Sequence, residues 1–63
     1  MVWSDVYSAL LRHLTAFWDG ENIDSESGLH HLDHAAACLA FLVEYATQPG
    51  YEQFDDRWVP EKE

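Results

Sequence analysis

The stretch Ser4-Asp5-Val6-Tyr7-Ser8-Ala9-Leu10-Leu11-Arg12-His13-Leu14-Thr15-Ala16-Phe17-Trp18 decides the fold. At 100° per residue, Trp3, Val6, Tyr7, Leu10, Leu11, Leu14, Phe17 and Trp18 share one arc, and Asp5, Ser8, Arg12 and Thr15 fall opposite. This spacing predicts an amphipathic helix over 4–18. Ser4 is the expected N-cap, Asp5 complements the positive helix end, and Asp19-Gly20 is the expected stop. His13 stands at the edge of the apolar arc, where a half-buried, hydrogen-bonded imidazole is the simplest reading and a site role the other. Arg12 is centred on the polar face, as a solvated side chain or a phosphate contact.

A second helix is predicted over about 28–47, ended by Gln48-Pro49-Gly50. Leu32, Ala35, Ala36, Leu39, Val43 and Ala46 form its broad apolar side, with Phe41, Leu42 and Tyr45 on the other edge. His30, Asp33, Ala37 and Glu44 form the narrow wedge left for water. Residues 19–27 read as an acidic loop in which Asp24, Ser25 or Ser27 caps the second helix and Glu26 lies in or beside its first turn. In the tail over 48–63, Tyr51, Phe54 and Trp58 are spaced for one face of a short helical segment covering an end of the bundle, and residues 61–63 are expected to fray. The fold class is therefore all-α: one small helical domain built as a two-helix hairpin.

Sixty-three residues bury only about 60% of the surface of the unfolded chain. Small domains offset this with disulfides, metals or oligomerisation. A single cysteine, Cys38, excludes an internal disulfide, so a homo-oligomer is expected, the hairpin dimerising into a four-helix bundle. Twelve acidic against three basic residues give a net charge of −9, which disfavours direct nucleic-acid or membrane binding. There is no apolar run near the ~20 residues that span a bilayer and no basic signal start. One free thiol suits the cytoplasm.

His31 and His34, three apart, project to one side of the second helix at the border of its apolar arc. Imidazoles there require a carboxylate, a carbonyl or a metal on their ring nitrogens. Satisfied structural histidines are one reading. The other is a shared ion with Glu21, Asp24 and Glu26 nearby, and such a mixed set suits Mn, Fe, Co, Ni or Zn, whereas Mg prefers oxygen.

The string 7–14, then Phe17-Trp18, Gly20-Glu21, Asp24, Glu26-Ser27-Gly28, His31-Leu32, His34-Ala35-Ala36 and Asp55-Asp56-Arg57 resembles small phage and bacterial proteins described as dATP/dGTP diphosphohydrolase-like. That family is placed beside the all-α, MazG-like nucleotide pyrophosphohydrolases. The resemblance implies a divalent cation, Mg or Mn ahead of Zn or another transition metal, held by Glu21, Asp24, Glu26, His31 and His34. Glu21, Asp24 and Glu26 would be the catalytic carboxylates for attack of water on the α-phosphorus of a deoxynucleoside triphosphate. Arg12 or Arg57 would contact phosphates and Trp18 would stack on a base. Family members carry a further segment before the equivalent of Trp3, where this chain begins. Accordingly the resemblance implies that a second set of carboxylates comes from another subunit, or that the scaffold is kept without catalysis. The alternative class is a small acidic phage-type protein that binds and inhibits a basic host protein, for instance as a DNA mimic in the host cytoplasm.

Overall fold

The computed structural model describes residues 2–58; the expected fraying of 61–63 lies outside them. Two helices, α1 (Trp3–Trp18) and α2 (His31–Thr47), are followed by a short 3-10 turn (Glu52–Phe54). Ring contacts pair Phe17 with His30, His13 with His31 and His34, and Trp3 with Tyr45. Because partner numbers fall along α1 as they rise along α2, the hairpin is antiparallel.

The helices meet along seams with alternating spacings of three and four residues. On α1 the seam is Trp3, Val6, Leu10, His13 and Phe17; on α2 it is His31, Ala35, Cys38, Leu42 and Tyr45, all buried or half-buried. The apolar arc of α1 is thus divided. Its inner edge packs, while Tyr7, Leu11, Leu14 and Trp18, one position beyond the seam, stay exposed. On α2 the division is the same: Leu32, Leu39 and Val43 of the expected apolar side are exposed, and the contact runs through Ala35 and the edge holding Leu42 and Tyr45. In antiparallel helices a shift of one residue rotates both stripes to the same side. The hairpin therefore carries one continuous open apolar face. With extents of 42 × 22 × 15 Å, the described residues form no third layer to cover it.

α1 ends in the Schellman pattern: Gly20 N–H donates to Phe17 O and Glu21 N–H to Ala16 O, at 3.0 Å each, with Gly20 at φ +103°. α2 begins three residues later than the spacing suggests. Gly28 takes φ +77°, Ile23 and His30 form an antiparallel bridge, and His31 N–H donates to Asn22 O at 2.8 Å, so residues 28–30 are tied into the loop. The N-cap is His30, whose Nδ1 accepts from Leu32 N–H at 3.0 Å. Neither Asp24, Ser25 nor Ser27 caps the helix, Glu26 lies outside its first turn, and His30 is half-buried against Phe17 instead of facing water.

The tail folds back on the opposite end. Tyr51 packs on Tyr45, with centroids 5.0 Å apart, while Trp58 stays exposed. Val2, not Ser4, is the N-cap of α1 and offers no side-chain bond. Asp56 replaces it from 52 residues away, accepting from Ser4 N–H at 2.9 Å and from the Ser4 hydroxyl. No helix among the described residues is long and apolar enough to cross a membrane.

Candidate functional site

At the loop end of the hairpin the inner seam turns from apolar side chains to imidazoles. The α1 seam brings in His13, the first residue of α2 is His31, and His34 follows one turn later. His13 Nδ1 and His31 Nδ1 lie 2.9 Å apart, and the His13 ring stacks on His34 with centroids at 4.5 Å. One of the two Nδ1 atoms donates and the other accepts, so the pair shares a single proton.

Asp24 is positioned by its own loop. Its Oδ1 accepts from Glu26 N–H at 3.0 Å and its Oδ2 from the Ser27 hydroxyl at 3.3 Å. Its backbone N–H donates to Leu29 O at 2.8 Å, and its carbonyl accepts from Gly28 N–H at 2.7 Å. His34 Nε2 stands 3.6 Å from Asp24 Oδ2 and 2.6 Å from Ser27 Oγ. Glu21, delivered by the end of α1, brings Oε2 to 3.4 Å from His31 Nε2. That approach is within ion-pair range but lacks hydrogen-bond geometry, leaving buried His31 Nε2 without a hydrogen-bond partner.

His13, Asp24 and His31 each offer one ligand atom, and the three lie within 4.8 Å of one another. Burial lowers the pKa of His13, with His34 and His31 adding to the effect and Asp24 opposing it, so His13 is held toward the neutral form that can ligate a cation. The Glu26 N–H, aided by the Ser27 hydroxyl, holds the Asp24 carboxyl below its ordinary value.

A recess of 330 Å³ opens over these groups, lined by Arg12, His13, Glu21, Asp24, Glu26 and His31 among others. Arg12 is exposed and has no ion-pair partner among the described residues. Glu26 makes no side-chain hydrogen bond or ion pair with the described residues.

Of the residues singled out from sequence, Arg12, Glu21, Asp24, Glu26 and His31 line this recess, and His34 adjoins it through Asp24 and His13. Trp18 does not: it is 85% exposed and lines a separate recess with Leu14, Phe17 and Leu32. Arg57 lies at the far end. It forks onto Asp55 at 2.9 and 2.7 Å and covers the Trp3 ring at 4.8 Å, ten residues or about 15 Å along α1 from His13. His13 is the residue that sequence reading left out of the site. Its signal is a polar side chain on the seam 3, 6, 10, 13, 17, legible only when that seam is set against α2.

A family model described as dATP/dGTP diphosphohydrolase, N-terminal, matches residues 1–57. Comparison with curated proteins and with solved structures gave no match. An all-α hairpin that gathers acids and imidazoles at one end, matched by that model over nearly all its length, belongs to the dATP/dGTP diphosphohydrolase N-terminal family.

Proposed function

We propose that this protein takes part in divalent-cation-dependent hydrolysis of deoxynucleoside triphosphates, dATP and dGTP being the class suggested by the family. Water adds to the α-phosphorus, the bond to the bridging oxygen of the β-phosphate breaks, and the products are a deoxynucleoside monophosphate and pyrophosphate. The observation that carries this reading is the recess in which Asp24, His13 and His31 converge beside Glu21, Glu26 and Arg12.

The residues fit a cation. Asp24 is held ionised, His13 is held toward neutrality, and the Nδ1 of His31 faces that of His13 at 2.9 Å. His13, His31 and Asp24 would hold the ion, with Glu21 and His34 beside them; the nitrogen donors rank Mn above Mg. When bound, the ion supplies charge neutralisation at the phosphate oxygens and lowers the pKa of water. Glu26, with no competing side-chain partner, takes the proton from the attacking water. Arg12 meets the departing phosphates and offsets the repulsion of an acidic protein.

The open apolar face supports assembly as well: a second copy laid on it completes a four-helix bundle. A reading as an acidic inhibitor of a basic host protein draws on the net charge of −9; binding to such a partner would weaken steeply with salt. The discriminating experiment is pyrophosphate release from dATP and dGTP with Mn or Mg. Release that is lost in Glu26→Gln supports the hydrolase, whereas silence from a folded, cation-loaded protein contradicts it.

A further inference from the structure

We infer that His13, His31 and Asp24 form a transition-metal site that clamps α1 to α2 and the loop, making the ion a structural part of the hairpin. This rests on the reading that the recess takes a cation, and does not depend on hydrolysis. The three donors come from three separate elements whose ligand atoms lie within 4.8 Å of one another. An ion bound there closes both the helix pair and the intervening loop.

Two features of His31 point to an ion more strongly than to a satisfied core histidine. Its Nδ1 faces the Nδ1 of His13 at 2.9 Å across a shared proton, and an ion that displaces that proton seats both nitrogens tetrahedrally at about 2.1 Å once they part by about half an ångström. Its Nε2, on the far side of the ring, is buried without a hydrogen-bond partner among the described residues and lies 3.4 Å from Glu21 Oε2, where a small shift lets the ring N–H donate to that carboxylate and leaves Nδ1 free for the ion. A histidine placed for core packing would put both nitrogens on protein acceptors or donors. Around the three donors stand groups suited to orient them: His34 stacks on His13 and meets Ser27, and Glu21 approaches His31.

The remaining core makes such a clamp useful. Only Trp3, Val6 and Ala35 are buried apolar residues among those described, and chains of this size commonly need a metal or a partner to stay folded. Two imidazoles and one carboxylate select Mn, Co, Ni or Zn over Mg.

The test uses the full chain, stripped with chelator and titrated separately with Co(II), Zn(II), Mn(II) and Mg(II). Circular dichroism follows the thermal midpoint, and visible absorption follows bound Co(II). Co(II) and Zn(II) are expected to raise the midpoint by about 10 °C near saturation, Mn(II) by less and Mg(II) hardly at all. His13→Ala and Asp24→Asn each lose the Co(II) absorption band, while His30→Asn, which keeps an N-cap, retains it. Should His13→Ala unfold, Asp24→Asn reads the same band. An unchanged Co(II) spectrum in Asp24→Asn, an equal shift from Mg(II), or no shift from any transition ion overturns the clamp. Pyrophosphate assays on the same samples separate its failure from that of the hydrolase: a clamp without turnover, or turnover with Mg(II) without a clamp, are distinct results.

Discussion

The two ends of the hairpin use the same seam for opposite purposes. At the far end Trp3 stacks on Tyr45, Tyr51 packs tilted against the same ring, Arg57 closes over the indole, and Asp56 caps α1. At the loop end, equivalent seam positions carry His13 and His31, with His34 packed beside them. Each end holds one buried nitrogen without a hydrogen-bond partner, Trp3 Nε1 and His31 Nε2. Their chemistry differs: the indole N–H can only donate, while an imidazole can take either tautomer and present a donor at one nitrogen and a lone pair at the other. The aromatic end supplies the packing that holds the helices together, and the loop end gives up packing for the imidazoles and acids of the candidate site.

The largest break in this contrast comes from Trp3→Ala. Removing a side chain that is 7% exposed costs about 3–5 kcal/mol, comparable to the whole stability of so small a core, so urea titration by circular dichroism should find the variant largely unfolded without added metal. His13→Leu sharpens the contrast from the other end. Leucine adds apolar contact at the seam but leaves His31 Nδ1 without its partner, and metal-free stability should stay within about 1 kcal/mol of the parent. Its response to Co(II) should vanish.

On the open face, Leu14→Glu and Leu39→Glu change exposed residues. The proposed four-helix assembly predicts that sedimentation finds the parent self-associated and both variants monomeric, with the far-ultraviolet spectrum of the helices retained.

The smallest effects are those of pH. His13 is lowered from 6.5 by burial, so the unfolded chain takes up the proton first, and stability present above pH 6.5 declines as pH falls toward the lowered value. Asp56, lowered from 3.8 by the Ser4 hydroxyl, has the same sign in a lower window: its contribution is present above 3.8 and is lost as pH falls through the depressed value. Thermal midpoints across pH should therefore decline in two stages. His13→Leu should remove the upper one and Asp56→Asn the lower.

Legibility followed the range of the interactions. α1, expected over 4–18 and found at Trp3–Trp18, is specified by local periodicity and by the Gly20 stop. Residues 28–30 carry helix-compatible side chains, yet the Ile23–His30 bridge and the left-handed Gly28 hold them in the loop. Periodicity revealed the apolar arcs but not which edge would meet the other helix. For that reason Leu39 and Val43 were expected inside while Leu42 and Tyr45 do the packing. The Asp56 cap joins residues 52 apart, beyond any local pattern. In the site, Glu21, Asp24, Glu26 and His31 stood out because they cluster in sequence. His13 was hidden because one histidine on an apolar arc has the same pattern whether it packs or ligates, and only the antiparallel pairing brings it to His31.

The most direct test of the site at the loop end is pyrophosphate release from dATP and dGTP with Mn(II), measured side by side for the parent chain and Asp24→Asn. Release by the parent and its loss in Asp24→Asn, with helical content retained in both, is the expected result. Equal release by the two proteins, or none from a folded and metal-loaded parent, would contradict it.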